Sequence, residues 1–169
     1  MKIIYTRPSD GGVSIITAAP REVLEQVLGP LTVEEYEAHV LERSIPDGAQ
    51  NVRQISPEDV PNDREFREAW VDVAEDTKVN IDLAKAKELQ LTKLRELRNR
   101  ALEKLDKDYM IAIELGTATT DIKAAKQQLR DITEDLKNLV VSGVDDEEVL
   151  TRIKELGYEG GHILLTGKA

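Results

Sequence analysis

The feature that most constrains this chain is a stretch of 35 residues, from Ile81 to Leu115, that contains neither glycine nor proline. Alanine, leucine, lysine, glutamate and arginine dominate it, and these residues have high helix propensities. At about 100° per residue, its apolar side chains fall on one wide face, as in a helix that packs on a core. Gly116 follows at once and suits a helix end. The stretch therefore predicts one long helix with a buried face.

A second helix is predicted from about Asp121 to Val141. Its apolar positions are spaced alternately three and four residues apart, like the a and d positions of a coiled coil. We call these positions the seam; they are Ile122, Ala125, Leu129, Ile132, Leu136 and Leu139. The connection between the two helices is short, and short connections join neighbouring antiparallel helices. Residues 81–141 are therefore predicted to form a long antiparallel helical hairpin.

Residues 1–80 differ in character, because all six prolines of the chain lie before residue 62. Lys2–Thr6 and Val13–Thr17 are rich in β-branched residues and flank a loop that contains Asp-Gly. This pattern predicts an N-terminal β-hairpin. Val52–Ile55 is a candidate third strand. We expect this part to be a small α+β region.

Short helices are expected between these strands and after them. One follows Pro20 and ends before Gly29-Pro30. The next begins at Thr32, which forms a capping box with Glu35, and it buries a stripe made of Val33, Tyr36 and Val40. A further short helix is predicted over Asp63–Trp70.

Residues 142–169 are predicted to form a short helix and a tail. Four acidic residues, Asp145–Glu148, mark the helix N-terminus, where negative charge is favourable. Gly157 is expected to end this helix, and the segment after Gly160-Gly161 either adds a strand to a sheet or frays. The predicted fold class is α+β, mainly α. An N-terminal β-hairpin and short helices are followed by the long helical hairpin and a short C-terminal helix.

Composition excludes several classes of function. The chain has 33 acidic and 23 basic residues and a net charge of −10, which disfavours nucleic acid and anionic membranes as partners. It contains no cysteine and only two histidines, which excludes thiolate catalysis and histidine-rich metal sites. The phosphate-binding and nucleophile motifs GxxxxGK[ST], GxGxxG and GxSxG are absent. We therefore expect no catalytic residues, no cofactor and no metal, and predict that the protein is not an enzyme.

One polar cluster, Arg95, Arg98, Asn99 and Arg100, stands out on the first long helix. Arg98 falls on the apolar face of that helix. In the favoured interpretation it reaches out from the edge of this face or pairs with a carboxylate of the facing helix, such as Asp131. In the alternative it is a polar anchor that fixes the register of the hairpin or contacts a partner.

Part of the hairpin is similar to a known helical module. Lys93–Asp108 on the first helix, with Gln127–Thr133 on the second, resembles a module of small bacteriophage tail proteins, the tail assembly chaperones and tail-fibre-assembly proteins. The resemblance covers roughly residues 85–137. The chain departs from the module's pattern, since it lacks the Asp-Trp pair after the first helix motif and the Tyr-Arg before leucine in the second. The resemblance implies a phage origin and a role in virion assembly, without catalytic residues to carry over.

Three hypotheses follow. The first is a non-catalytic phage structural or assembly protein in the tail, fibre or a head-attached part of the virion, assembled in the bacterial host cytoplasm. It would contact other phage structural proteins and form a homo-oligomer, with a trimer favoured, through the seam residues Ile122, Leu129, Ile132, Leu136 and Leu139 and through Arg98. The second is a soluble tail or tail-fibre assembly chaperone that is absent from the mature particle. The third, a small enzyme, is disfavoured by the missing motifs.

Overall fold

The β-branched runs near the N-terminus form the predicted β-hairpin. The structure is a computed structural model that describes residues 1–73 and 76–166. Strands β1 (Lys2–Thr6) and β2 (Val13–Thr17) pair in antiparallel fashion, and β3 (Gln50–Gln54) pairs antiparallel with the other edge of β1. The third strand thus begins two residues before the predicted segment. The hairpin prediction is confirmed.

The two faces of this sheet have different neighbours. Ile3 and its cross-strand partner Ile16 lie on one face, together with the core residues Tyr36 and Val40. The opposite face carries Lys2 and Thr17, which also pair across β1 and β2. Residues on paired positions share a side, and alternate residues change sides. The second face also carries Ile4 and Val13, which are 0% and 2% exposed, so both faces of the sheet bury apolar side chains.

Helices α1 (Arg21–Leu28) and α2 (Val33–Ser44) follow the hairpin. The capping box is present, because Glu35 N donates to Thr32 Oγ1 at 3.2 Å and Thr32 N donates to Glu35 Oε2 at 2.8 Å. Tyr36 and Val40 are buried as predicted, but Val33 is 56% exposed, so its place in the buried stripe was wrong. Val33 occupies the first turn of α2, where the core that covers Tyr36 and Val40 does not reach it.

The helix predicted over Asp63–Trp70 was wrong. Only one 3₁₀ turn forms there, Arg67–Ala69, and a second 3₁₀ turn lies at Pro57–Asp59. Trp70 already belongs to strand β4 (Trp70–Val71), which pairs with β5 (Asn80–Ile81). Strand pairing holds the Trp70 backbone extended, so a helix cannot run through it.

A division between Asp82 and Leu83 separates this first unit, Met1–Asp82, from a second unit, Leu83–Ala169. The second unit is helical over its described residues: α3 (Leu83–Glu114), α4 (Thr120–Asp131), α5 (Glu134–Asn138) and α6 (Glu147–Thr166). The long helix α3 packs against α4 and α6. The α+β, mainly α fold class is confirmed, with a long helix and antiparallel N-terminal strands.

The second helix of the hairpin is shorter than predicted. It was expected to run from Asp121 to Val141, but α4 ends at Asp131 and α5 begins at Glu134. The short α5 packs against α6 and also meets α3. The break at Ile132–Thr133 thus coincides with contacts between α5 and α6. The hydrophobic periodicity of a single helix contains no information about its contacts with another helix.

The C-terminal region also differs from the prediction. A helix end at Gly157 and a strand or frayed tail after Gly161 were expected, yet α6 continues through all three glycines to Thr166. Residues 167–169 of the predicted tail lie outside the described residues. An ideal Cβ at Gly157 would lie 2.5 Å from Gln90 Cδ and closer still to Nε2. Glycine here permits close helix packing instead of ending the helix.

Candidate protein-interaction surface

The seam residues are placed together, and they lie inside the second unit. Leu129 and Leu136 are 8% and 1% exposed, while Ile122, Ile132 and Leu139 are half-buried. Their surroundings come from the unit's own helices, since α4 packs on α3 and α5 packs on α6. In the single chain the helices that carry the seam therefore pack against other helices of the second unit.

Arg98 is half-buried at the edge of the apolar face of α3. Its Nη2 donates to Asn99 Oδ1 at 3.3 Å, and its buried Nε has no hydrogen-bond partner. The pairing with Asp131 is not formed among the described residues: Arg98 donates to Asn99, and the Asp131 carboxylate accepts from Gln127 Nε2 one turn earlier on its own helix. Arg98 therefore corresponds to the interpretation of an arginine that reaches out along an apolar surface.

The polar link between α3 and α4 involves a different cation, Lys126. Its ammonium lies 2.6 Å from Asp106 Oδ1 and 4.5 Å from the centroid of the Tyr109 ring. The Lys126 side chain is only 13% exposed, whereas that of Asp106 is 65% exposed. Sequence reasoning missed this group. The signal available was Tyr109 on the apolar face with an acidic residue one turn before it, because such a site attracts a lysine on the facing helix.

Lys87 also interrupts the apolar face of α3, and the structure gives it a specific position. Its ammonium donates to the carbonyl oxygens of Lys137 and Leu139, each at 2.7 Å. These carbonyls lie at the C-terminal end of α5, where a cation is favourable because the last carbonyls of a helix have no intrahelical donors. Lys87 therefore joins α5 to α3.

The C-terminal turn of α3 exposes a cluster of large apolar side chains, which we call the hairpin tip. It consists of Met110, Ile111, Ile113 and Leu115, which are 57%, 53%, 53% and 72% exposed. Between them, Ala112 is 7% exposed, and its carbonyl accepts from the Thr117 backbone and hydroxyl in the turn before α4. A helix that is apolar on nearly every side is ordinarily buried. Sequence reasoning had treated this turn only as a helix end.

The acidic side chains of the described residues have structural contacts or lie apart from one another. No group of three or more histidine, aspartate or glutamate side chains within 1–73 and 76–166 could hold a metal ion. The acidic run Asp145–Glu148 begins α6, as predicted, and Asp146 Oδ1 accepts from Val149 N at 3.1 Å. The pKa of Asp76 is held below its ordinary range chiefly by the hydrogen bond from Asn80, which is a structural contact. Among the helices that the structure describes, none has the length and apolar character needed to span a membrane.

Comparison with known proteins adds no relative, because no protein-family model, curated protein or solved structure matches the chain.

Proposed function

We propose that this protein is a non-catalytic bacteriophage structural or assembly protein that acts through protein–protein contacts in the virion. The phage assignment is supported by the resemblance of the hairpin, over Lys93–Asp108 and Gln127–Thr133, to the helical module of phage tail assembly proteins. The proposal includes no catalytic residue, cofactor or metal. It also includes no binding to nucleic acid or membranes, in keeping with the net charge of −10.

The observation that carries the proposal is the exposed hairpin tip. Single apolar side chains on a surface are ordinary, but a contiguous apolar patch marks an interaction site. Met110, Ile111, Ile113 and Leu115 lie within six residues at the end of one helix, and each is more than half exposed. Burying such side chains against a partner contributes roughly 25 cal/mol for each Å² of apolar surface removed from water. We infer that the tip contacts protein in the assembled state.

The partner is a second copy of this chain or another phage structural protein. Because the seam is covered by the chain's own helices, we place the contact between copies at the tip. The phage resemblance favours a trimer, in which three tips would cover one another. The protein would assemble in the bacterial host cytoplasm and remain in the virion.

The second candidate function is the soluble tail or tail-fibre assembly chaperone. The same tip supports it, because an exposed apolar helix end can hold an aggregation-prone segment of a client protein. The two candidates differ in where the protein is found at the end of assembly. Mass spectrometry of purified particles detects a structural component and misses a chaperone that has left.

A paired set of variants tests the role of the tip. Ile111→Glu and Leu115→Glu place a charge in the tip, and Val140→Glu is the matched control, because Val140 is 86% exposed outside it. We expect light scattering to give an oligomer for the wild type and for Val140→Glu. The two tip variants should give a smaller species with unchanged helix content. A wild type that is monomeric across the micromolar range and absent from particles would remove the structural proposal.

A further inference from the structure

We propose that the first unit contains a binding site for a single phosphate group, in a cavity beside the Lys2–Thr17 end of its sheet. The cavity has a volume of about 160 Å³. Lys2 and Thr17 line it from the sheet, and Arg64, Arg67 and Trp70 line it from the segment that leads into β4. The remaining lining is apolar. The site is separate from the hairpin tip and is independent of the function proposed above.

Local structure brings these side chains together. Lys2 and Thr17 are cross-strand partners in the β1–β2 register, so their side chains leave the sheet on the same side. Arg64 and Arg67 are three residues apart and joined by a turn in which Arg67 N donates to Arg64 O at 3.1 Å. The 3₁₀ turn Arg67–Ala69 then leads directly into Trp70. Two arginines from one turn and a lysine from the sheet therefore border one cavity.

The charges around the cavity are all of one sign. Among the described residues no acidic side chain lines it, although residues 1–81 contain 16 acidic and only 8 basic side chains. Three of the four other arginines of this unit, Arg7, Arg21 and Arg53, have carboxylate partners. Within the described residues, none of the three cations at the cavity forms an ion pair with a carboxylate. The positive charges of Lys2, Arg64 and Arg67 repel one another, and an anion bound between them would reduce this repulsion.

Trp70 also lines the cavity and is 2% exposed. The other polar side chains of the lining are hydrogen-bond donors. Lys2, Arg64 and Arg67 can only donate, and the Thr17 hydroxyl can donate as well. Such a set matches a group that only accepts, which is an oxyanion.

The size and charge of the site select the class of oxyanion. Pockets for drug-sized ligands have volumes of about 300–1,000 Å³. A cavity of about 160 Å³ is smaller and suits one compact group. Three cations exceed the charge of one carboxylate, and arginines bind phosphate with paired hydrogen bonds. We therefore assign the site to a phosphate group, either free or carried on a larger molecule.

The only tryptophan of the chain lies in this site, so its fluorescence reports binding directly. The full chain is titrated with sodium phosphate, glycerol phosphate and sodium acetate, with sodium chloride holding the ionic strength constant. We expect a saturable change in Trp70 emission with inorganic phosphate or with glycerol phosphate, at least tenfold tighter than with acetate. The ratio between the two phosphates tells whether the free or the carried group is preferred.

Variants separate the site from general charge effects. In Arg64→Gln/Arg67→Gln, phosphate affinity should fall at least tenfold, and Arg43→Gln serves as the control, because Arg43 is exposed on α2 outside the cavity. Both arginines of the double variant are exposed, so circular dichroism should match the wild type. Phosphate should also raise the melting temperature of the wild type and not that of the double variant. A fluorescence response that chloride reproduces, that acetate equals, or that survives in the double variant overturns the proposal.

Discussion

Replacing Gly157 by alanine tests whether the glycines of α6 are there to let two helices approach. The new Cβ would lie 2.6 Å from Gln90 Cγ and 2.5 Å from Cδ, both shorter than real Cβ contacts. Gln90 is 4% exposed on α3, so displacing its amide end requires the side chains packed around it to rearrange. To accommodate one methyl group, α6 must shift away from α3 or Gln90 must leave its position.

The expected magnitude is a balance of two effects. In the interior of a helix, alanine is favoured over glycine by about 1 kcal/mol. Inserting a carbon into a packed core costs about 1–3 kcal/mol. The new Cβ overlaps three atoms of a buried side chain, so we place the packing cost at this site at about 3 kcal/mol. Gly157→Ala should therefore lower the free energy of unfolding by about 2 kcal/mol.

Two neighbouring glycines provide a graded series on the same helix. A Cβ at Gly161 would meet only Leu97 Cδ1 at 4.0 Å, an ordinary contact, so Gly161→Ala should raise the free energy of unfolding by up to about 1 kcal/mol. A Cβ at Gly160 would lie 3.0 Å from Leu94 Cδ2, which is tight. There the propensity gain and the packing cost should nearly cancel.

A double variant assigns the effect to Gln90. Gln90→Ala removes all three atoms that the new Cβ would meet, so Gly157→Ala should cost less in that background. With the overlap removed only the propensity gain of about 1 kcal/mol is left, so we expect a coupling free energy of about 3 kcal/mol from the double-mutant cycle. Stabilities are measured by urea denaturation followed by far-UV circular dichroism, which reports mainly on the helices. If Gly157→Ala were as stable as Gly161→Ala, or if the cycle showed no coupling, the close approach of α3 and α6 would be refuted.

Three further substitutions test other contacts by the same unfolding measurement. Arg53→Ala removes one bond of 2.8 Å to the carboxylate of Asp72, which is 5% exposed, and one of 2.8 Å to the Thr77 carbonyl oxygen. It should destabilise the first unit by about 2 kcal/mol, and no loss would show these contacts to be energetically neutral. The bonds from Thr32 hold the pKa of Glu35 below its ordinary 4.5, so this contribution is present above that pH and is lost as the pH falls through the lowered value. Glu35→Gln removes the titrating carboxylate and should therefore reduce the acid sensitivity of stability, and an unchanged pH profile would contradict this. Thr133→Val removes a fully buried hydroxyl that has no partner and should stabilise by about 1 kcal/mol, whereas destabilisation would reveal an acceptor or water at Oγ1.

The elements predicted well from the sequence are those whose signals are local. The Asp-Gly loop between two β-branched runs specifies the hairpin, because turn chemistry and strand propensity agree within a few residues. Thr32 and Glu35 determine the start of α2 through hydrogen bonds that span only three positions. The long helix α3 follows from propensity summed over more than thirty residues without a breaker.

The predictions that were wrong concern segments whose structure depends on residues far away in the sequence. A glycine near the end of a helical pattern ordinarily ends the helix, and nothing near Gly157 indicates that Gln90 will lie against it. The helix predicted over Asp63–Trp70 does not form, because Trp70 pairs with Ile81, eleven residues further along. The candidate surface was missed for a related reason. The exposure of Met110 and Leu115 depends on which other helices cover them, and periodicity on one helix does not contain that information.

The lengths of the helices explain why the tip is left uncovered. Gly157 lies against Gln90, Gly160 against Leu94 and Gly161 closest to Leu97, so α6 runs along α3 in the same direction. From Leu97 to Met110, α3 advances about 20 Å at 1.5 Å per residue, whereas the described part of α6 extends only about 7.5 Å beyond Gly161. The described part of α6 therefore does not reach the tip. An apolar helix end that extends beyond the described part of the neighbouring helix supports the contact that we propose for the tip.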